Sequence, residues 1–504
     1  MKKTNSKIII GALVLFAQIG FGSCSKDNST EEEPNPEPVT YTLTASTNNI
    51  EFESTESSYD VTITTNVDTW VISSSGTSWI TFSKTTGAAG TTTVTVTASK
   101  NSSGLSERST TITINANGVT PVKIPVTQDG LPSSNGIYPD YNTDPIPADE
   151  SGMTDDAVTL ASKMKLGWNI GNTMEAPGGE TGWGNPIITE QFVKFVKQNG
   201  FNAIRIPCSW NMHSNTETAE INETWLNRVK EVVQYCTDND LYVLLNIHWD
   251  NGWLENGFGT NSQDQINVVN AKQKAYWEQI ATTMRDFDEH LMFASANEPN
   301  VEDATQMAVL LSYHQTFVDA VRSTGGKNAY RVLVLQGPST STEHTFNLMN
   351  TLPTDTVPNK FMIEIHNYTP FQFTALGEDA SWGKMFYYWG TGYHSTIEPD
   401  RNATWGDESY IEAEFQKMKT KFVDNGIPVI MGEYGAYRRG NSSNVPLDLE
   451  KHNDAIDYWL TFNTQKAIEN GIIPFFWETG GVLDRSSDTV KDQRTIDALI
   501  AGGN

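Results

Sequence analysis

Along residues 41–130 apolar and polar positions alternate one by one. Tyr59-Asp-Val-Thr-Ile-Thr-Thr, Thr93-Val-Thr-Val-Thr-Ala and Thr110-Thr-Ile-Thr-Ile-Asn each repeat at period two, with Gly and Asn breaking the runs. That period marks half-buried strands, and several of them within about 90 residues predict a small β-sandwich. From residue 151 to 504 the rhythm changes to short apolar runs separated by amphipathic stretches. The runs are Leu166–Gly171, Ala203–Pro207, Tyr242–His248, Leu291–Glu298, Arg331–Gln336, Phe361–His366, Pro428–Glu433 and Ile473–Glu478. Helical periodicity fills most of the gaps, at 190–199, 224–238, 273–287, 306–321, 410–424 and 455–469. Eight such runs over some 350 residues predict an α/β chain with a (β/α)8 TIM barrel. A doubly wound open sheet is the alternative, but no Gly-rich phosphate loop follows the first run.

The remaining segments have no such pattern. Residues 131–150, with Pro132, Pro139, Pro145 and Pro147, read as a semi-stiff linker, and 24–40, rich in Glu, Pro, Asn and Ser, as a solvated tether. Residues 1–23 carry Lys2 and Lys3 ahead of an apolar run from Ile8 to Phe21, the form of a secretory signal peptide. The stretch Phe21-Gly22-Ser23-Cys24 resembles a bacterial lipobox, which implies lipidation of Cys24. Ser25-Lys26-Asp27-Asn28 and Glu31-Glu32-Glu33 resemble the export tag of Bacteroidetes surface lipoproteins. Together they imply a lipid anchor in the outer membrane with the protein facing outward.

A length of 504 residues suits two domains with connecting segments. The 34 Lys and Arg stand against 61 Asp and Glu, a net charge of -27 that repels phosphate backbones and anionic lipid surfaces. Nucleic acid and acidic polysaccharides such as pectin are excluded as partners. Fourteen Trp and 17 Tyr supply flat faces on which sugar rings stack. Cys208 and Cys236 lack metal-ligand spacing and read as core thiols.

In a barrel of this kind the chemistry sits at the C-terminal strand ends, so what terminates each apolar run is the informative feature. The second run carries Arg205, the third ends at His248, the fourth at Asn297 and Glu298, the sixth at His366 with Tyr368 just beyond, the seventh at Glu433 and the eighth at Trp477. Pro299 holds Glu298 extended and ends its strand there. Glu364 lies two residues before His366, on the same face but deeper, which suits a structural ion pair. Glu478 follows Trp477 and points the other way at period two, and Asp484 is a further carboxylate in the loop beyond. Asn172, His213, Trp249, Trp253 and Trp382 fall in strand-end loops and are candidates for outer sugar subsites.

Asn297-Glu298-Pro299, His366-Asn367-Tyr368, Gly432-Glu433-Tyr434 and Phe476-Trp477-Glu478, in this order, resemble glycoside hydrolase family 5. Gly167-Trp-Asn-Ile-Gly-Asn-Thr173 and Glu180-Thr-Gly-Trp-Gly-Asn-Pro186 are similar to its subfamily 4, over essentially all of residues 160–500. The β-rich segment, with Trp70, Trp79 and the closing Ile124-Pro-Val-Thr-Gln-Asp-Gly, resembles the BACON module, which implies that the small β-sandwich is immunoglobulin-like.

The family resemblance implies retaining hydrolysis, with Glu298 as acid and base and Glu433 as nucleophile. It also implies that Arg205 and Tyr368 orient Glu433, and that Asn297, His248, His366 and Trp477 hold the sugar. The charge of Glu433 is expected to raise the pKa of Glu298. Neither a metal nor a cofactor is required, since the histidines sit on separate strands without zinc-site spacing. The combination of leader, BACON module and subfamily 4 barrel is similar to surface xyloglucan endo-β-1,4-glucanases, which makes xyloglucan the expected polymer. Mixed-linkage β-glucan and cellulose are the alternatives. A non-catalytic glycan-capture lipoprotein is the reading of a different class, and a binder has no need of both glutamates.

Overall fold

Between residues 167 and 476 eight parallel strands close into a barrel: β1 (Gly167–Asn169), β2 (Ala203–Ile206), β3 (Tyr242–Asn246), β4 (Leu291–Ala294), β5 (Leu333–Gln336), β6 (Phe361–Asn367), β7 (Val429–Tyr434) and β8 (Ile472–Phe476). β8 pairs back onto β1. The computed structural model describes residues 39–504 except 76–77, 102–103 and 441–443, so the leader, Cys24 and nearly all of the 24–40 tether lie outside the described residues. Each strand is followed by a helix: α1 (Glu190–Gln198), α2 (Glu223–Asp238), α3 (Gln263–Met284), α4 (Ala304–Ser323), α5 (Thr342–Leu348), α6 (Glu408–Lys421), α7 (Leu449–Glu469) and α8 (Gln493–Gly503). The strands are covered on both faces, which is why they read as near-continuous apolar runs.

Inside the barrel the side chains change character within two residues. Ala203, Leu244, Met292, Val334, Met362 and Ile430 form one apolar cluster, plugged from below by Ala157 and Leu160 of the helix Ala157–Lys163. Two positions further along, on the same strand faces, stand Arg205, Asn246, Gln336 and Glu364, all without solvent exposure. The active-site floor begins there.

Two helices differ from the sequence expectation. α3 starts at Gln263, ten residues before the apolar period becomes visible, because a capping box between Ser262 and Gln265 nucleates a polar first stretch. α8, capped by Asp492, packs on α7 and had no counterpart in the predicted pattern.

Residues 43–128 form the two-layer sandwich. One sheet runs Leu43–Ala45, Ser57–Thr65, Gly90–Ala98, Ile80–Phe82; the other runs Ile50–Phe52, Val122–Gln128, Arg108–Ala116, Trp70–Ser74, Thr86–Gly87. Trp70 is fully buried and Trp79 nearly so, with the Arg108 guanidinium 4.5 Å from the Trp79 ring centre, so both indoles belong to the core.

The Pro-rich 131–150 segment is not a free spacer. Ile146–Ala148 pairs in parallel with Gly325–Gly326, Tyr141 and Asn142 donate their N–H groups to Glu278, and Lys274 bonds Asp140 at 2.6 Å. The prolines fix an extended path, and the barrel's polar helix faces hold it. Cys208 and Cys236 are free, buried thiols, as the sequence suggests.

Candidate active site

Arg205 organises the floor of the site. From β2 it reaches Glu433 Oε1 at 2.8 Å and Asn169 Oδ1 at 3.0 Å through Nη1, and Asn297 Oδ1 at 2.9 Å through Nη2, while Nε lies 2.9 Å from Glu364 Oε1. Four strands are thereby tied to one buried cation. Tyr368 donates its hydroxyl to Glu433 Oε2 at 3.0 Å, so both oxygens of that carboxylate are held.

The chain has a local reason to deliver Glu433 there. The β6–β7 pairing passes from Ile365↔Met431 to His366↔Glu433, leaving Gly432 as the extra residue of a bulge. A Cβ on Gly432 would stand 2.0 Å from Glu364 Oε1, so only glycine fits beside that carboxylate. On β4 the extended residues after Ala294 are fastened by Gln336, whose Oε1 accepts from Ser295 Oγ and Ala296 N, both at 2.8 Å. Glu298 emerges beyond them with its side chain 46% exposed, open to the cleft.

His366 stands between the carboxylates. Its Nδ1 lies 2.7 Å from Glu298 Oε1 and 3.8 Å from Glu433 Oε2, and its Nε2 lies 3.1 Å from Glu364 Oε1. With Glu298 and Glu364 ionised, both ring nitrogens donate, which is the imidazolium form. Burial alone would lower its pKa, but the charges of Glu433, Glu298 and Glu364 push it up to about 10.

This arrangement reverses the pKa expected for Glu298. Burial favours its neutral form, yet the hydrogen bond and charge of His366, with Arg205, hold the carboxyl below its ordinary value. The Glu298–His366 pair, 2.7 Å apart, holds one proton jointly. The raised histidine pKa also has a stability consequence. The unfolded ring titrates near 6.5, so the stabilisation is fully present below about that pH and is lost as pH rises through about 10. Urea midpoints of the barrel should fall from pH 7 to pH 10 more steeply for the wild type than for His366→Asn. Equal slopes would remove His366 as the cause.

His248 and Trp477 lie parallel, ring centres 5.8 Å apart, across the mouth. Burial, with Arg205 and His366 nearby, keeps the His248 ring neutral. Two further residues, Asn169 and Tyr437, contact the site residues without having been singled out from the sequence. Asn169 ends β1 and accepts from Arg205, but it lies inside the apolar run Leu166–Gly171, so a test of run ends passes over it. Tyr437 lines the hollow with Tyr368 and Trp477, and bonds the latter.

Two predicted site residues take different parts. His213 stacks its ring on Trp225, centres 3.7 Å apart, in a hollow lined by the β2–α2 loop and the start of α2. Asn172 contributes main chain: its N–H bonds Glu175 and its carbonyl accepts from Asn185 at 3.0 Å. Glu364 is the buried ion-pair partner expected of it, and Glu478 turns away to Arg485 at 2.7 Å. Trp249 and Trp382 remain exposed, whereas Trp253 is tied to Asp250.

Glu298, His366 and Glu433 place donor atoms within 4.8 Å of one another, the one cluster among the described residues near enough to hold a metal ion. Every one of those side chains is already engaged by Arg205, Tyr368, Glu364 or another member of the cluster, so the geometry is that of paired carboxylates with a shared proton.

Fold and site together define a barrel hydrolase built around two glutamates at the ends of β4 and β7. The chain belongs to glycosyl hydrolase family 5: the family described as Cellulase (glycosyl hydrolase family 5) matches residues 169–490, and BACON, a putative binding domain, matches 68–129. It is 32% identical over 382 residues to the xyloglucan-specific endo-β-1,4-glucanase of Bacteroides ovatus, covering 71% of this chain and 73% of that one. It is also 32% identical over 401 residues to endoglucanase A of Paenibacillus barcinonensis, covering 73% and 95%. Among solved structures, the Bacteroides ovatus family 5 xyloglucanase with a XXXG heptasaccharide superposes with a TM-score of 0.66 at 29% identity, covering 92% of this chain and 100% of that one.

Proposed function

We propose that the protein is a retaining endo-β-1,4-glucanase that cuts the backbone of xyloglucan, held on the outer membrane by a lipid on Cys24. The observation that carries the reaction type is the placement of donor oxygens of Glu298 and Glu433 within 4.8 Å, the spacing of an acid and a nucleophile rather than of two groups with water between them. Glu433, fixed by Arg205 and Tyr368, attacks the anomeric carbon from one face. Glu298 gives its proton to the departing glycosidic oxygen as the C–O bond breaks, the proton having been supplied through His366. The glycosyl ester is then opened by water, which Glu298 deprotonates, and a second inversion restores the configuration. Asn297 is engaged by Arg205 through its oxygen, which leaves an N–H for the sugar 2-hydroxyl, whose bond strengthens in the transition state.

The choice of xyloglucan is supported by the likeness to the Bacteroides ovatus enzyme across both domains. The likeness to endoglucanase A of Paenibacillus barcinonensis favours a second reading, a general endo-glucanase. The sandwich serves as a spacer in this proposal, since Trp70 and Trp79 are core and present no sugar platform. Measured on the form lacking the leader and Cys24, kcat/KM should favour xyloglucan over unbranched mixed-linkage β-glucan by at least about tenfold, or roughly 1.4 kcal/mol of transition-state binding. Parity or reversal would leave a general endo-β-1,4-glucanase.

A further inference from the structure

We propose that Glu255, on the β3–α3 loop, is a positioning residue for the acid Glu298, holding it on the glycosidic oxygen through the Asn297–Asn300 corner. The proposal rests on the reading of Glu298 as the proton donor. Glu255 is 6% exposed and its carboxylate belongs to no ion pair found among the described residues, so balancing a buried cation is not what keeps it there. Its Oε1 accepts the main-chain N–H of Glu298 at 3.0 Å. The Asn297 amide bonds the same carboxyl, and the Glu255 carbonyl accepts from Asn300 N at 2.8 Å. One residue therefore grips the corner before, at and after the acid.

That grip matters because Glu298 leaves β4 as an unpaired extension. Strand β4 ends at Ala294, and the following four residues must carry a half-exposed carboxyl to one definite point. Without Glu255 the Glu298 N–H and one Asn297 N–H would be left without their acceptor, and the corner would be free to re-aim. The charged groups that face Glu255 are Glu298 itself and Glu433, both negative. Burial first, and those two charges after it, push its pKa up to about 7, so the carboxyl changes charge near neutrality beside the acid. Once ionised it opposes loss of the Glu298–His366 proton, which extends the acid form to higher pH.

The test compares two aryl β-cellobiosides, a dinitrophenyl leaving group that departs without protonation and a poor phenyl one that needs it. Glu255→Ala should lose about 30-fold or more in kcat/KM on the phenyl substrate and less than about threefold in kcat/KM on the dinitrophenyl substrate, since kcat/KM reports glycosylation and not the later step in which Glu298 is the base. Glu255→Gln keeps an oxygen acceptor, so it should recover most of that loss. Lacking the charge, it should also bring the alkaline limb of kcat/KM down by about half a pH unit. Equal losses on both substrates, or a Gln variant no better than Ala, would overturn the proposal and leave Glu255 as a general support of the fold. Glu298→Ala run alongside separates the two readings. If it shows no leaving-group dependence, the acid assignment itself fails; if it does and Glu255→Ala does not, only the role of Glu255 fails.

Discussion

Glu433→Gln should abolish turnover while leaving oligosaccharide binding in place. The amide matches the carboxylate in shape, its oxygen can accept from Arg205 Nη1 and its nitrogen can donate to the Tyr368 hydroxyl, so the floor of the site should stay assembled. What is lost is the nucleophile. The expected fall in kcat is about 10^4-fold or more, roughly 5.5 kcal/mol of transition-state stabilisation, with KM for a soluble oligosaccharide changed by less than about fivefold. A smaller variant, Glu433→Gly, opens space beside the anomeric carbon, and added azide should restore cleavage of a dinitrophenyl glycoside with an inverted glycosyl azide as product. Wild-type hydrolysis followed from the first seconds by NMR should give the β-anomer first. An α-anomer would mean single displacement by water with no covalent nucleophile, and a Gln variant with more than a few per cent of wild-type turnover would place the nucleophile elsewhere.

The sequence exposes the barrel because burial on both strand faces produces unbroken apolar runs, and it exposes the floor because each run stops at a residue the core does not want. His248, Asn297, Glu298, His366, Glu433 and Trp477 stand at the ends of those runs, whereas Arg205 lies inside its run and Tyr368 beyond one, and the roles of all of them come from the family resemblance. The protonation state is not legible in the sequence, because it depends on where His366 stands in three dimensions. One imidazole within 4 Å of three carboxylates overturns the inference drawn from the Glu298–Glu433 pair. Loop residues are hidden for a related reason. Glu255 lies 43 positions before Glu298, and neither periodicity nor a strand end marks it; only the folded corner shows what it holds. His213, a strand-end-loop residue by pattern, stacks on Trp225, a contact that only the fold shows. The Pro-rich 131–150 segment follows the same lesson, since composition announces an extended path but not the helix faces along which it runs.

Arg205→Met should cost both stability and turnover, and the two losses should separate. Methionine fills much of the space of the Arg205 stem but leaves Glu364, at zero exposure, with only His366 and Gln336, and Glu433 with only Tyr368 and the more distant His366. Removing one partner of a buried charge cluster costs about 3–5 kcal/mol, most of it the penalty of the stranded carboxylates rather than the net worth of the pairs. Barrel unfolding in urea should show that drop. Turnover should fall by about a thousandfold, because Asn297 and Glu433 lose the guanidinium that aims them both. A second change, Glu364→Gln, removes one stranded charge and should return about 1–2 kcal/mol of stability with no return of activity. If Arg205→Met were as stable as the wild type, the cation would be a ligand of the substrate and not the organiser of the floor. If the added Gln restored turnover as well, Arg205 would act on catalysis only by keeping the barrel folded.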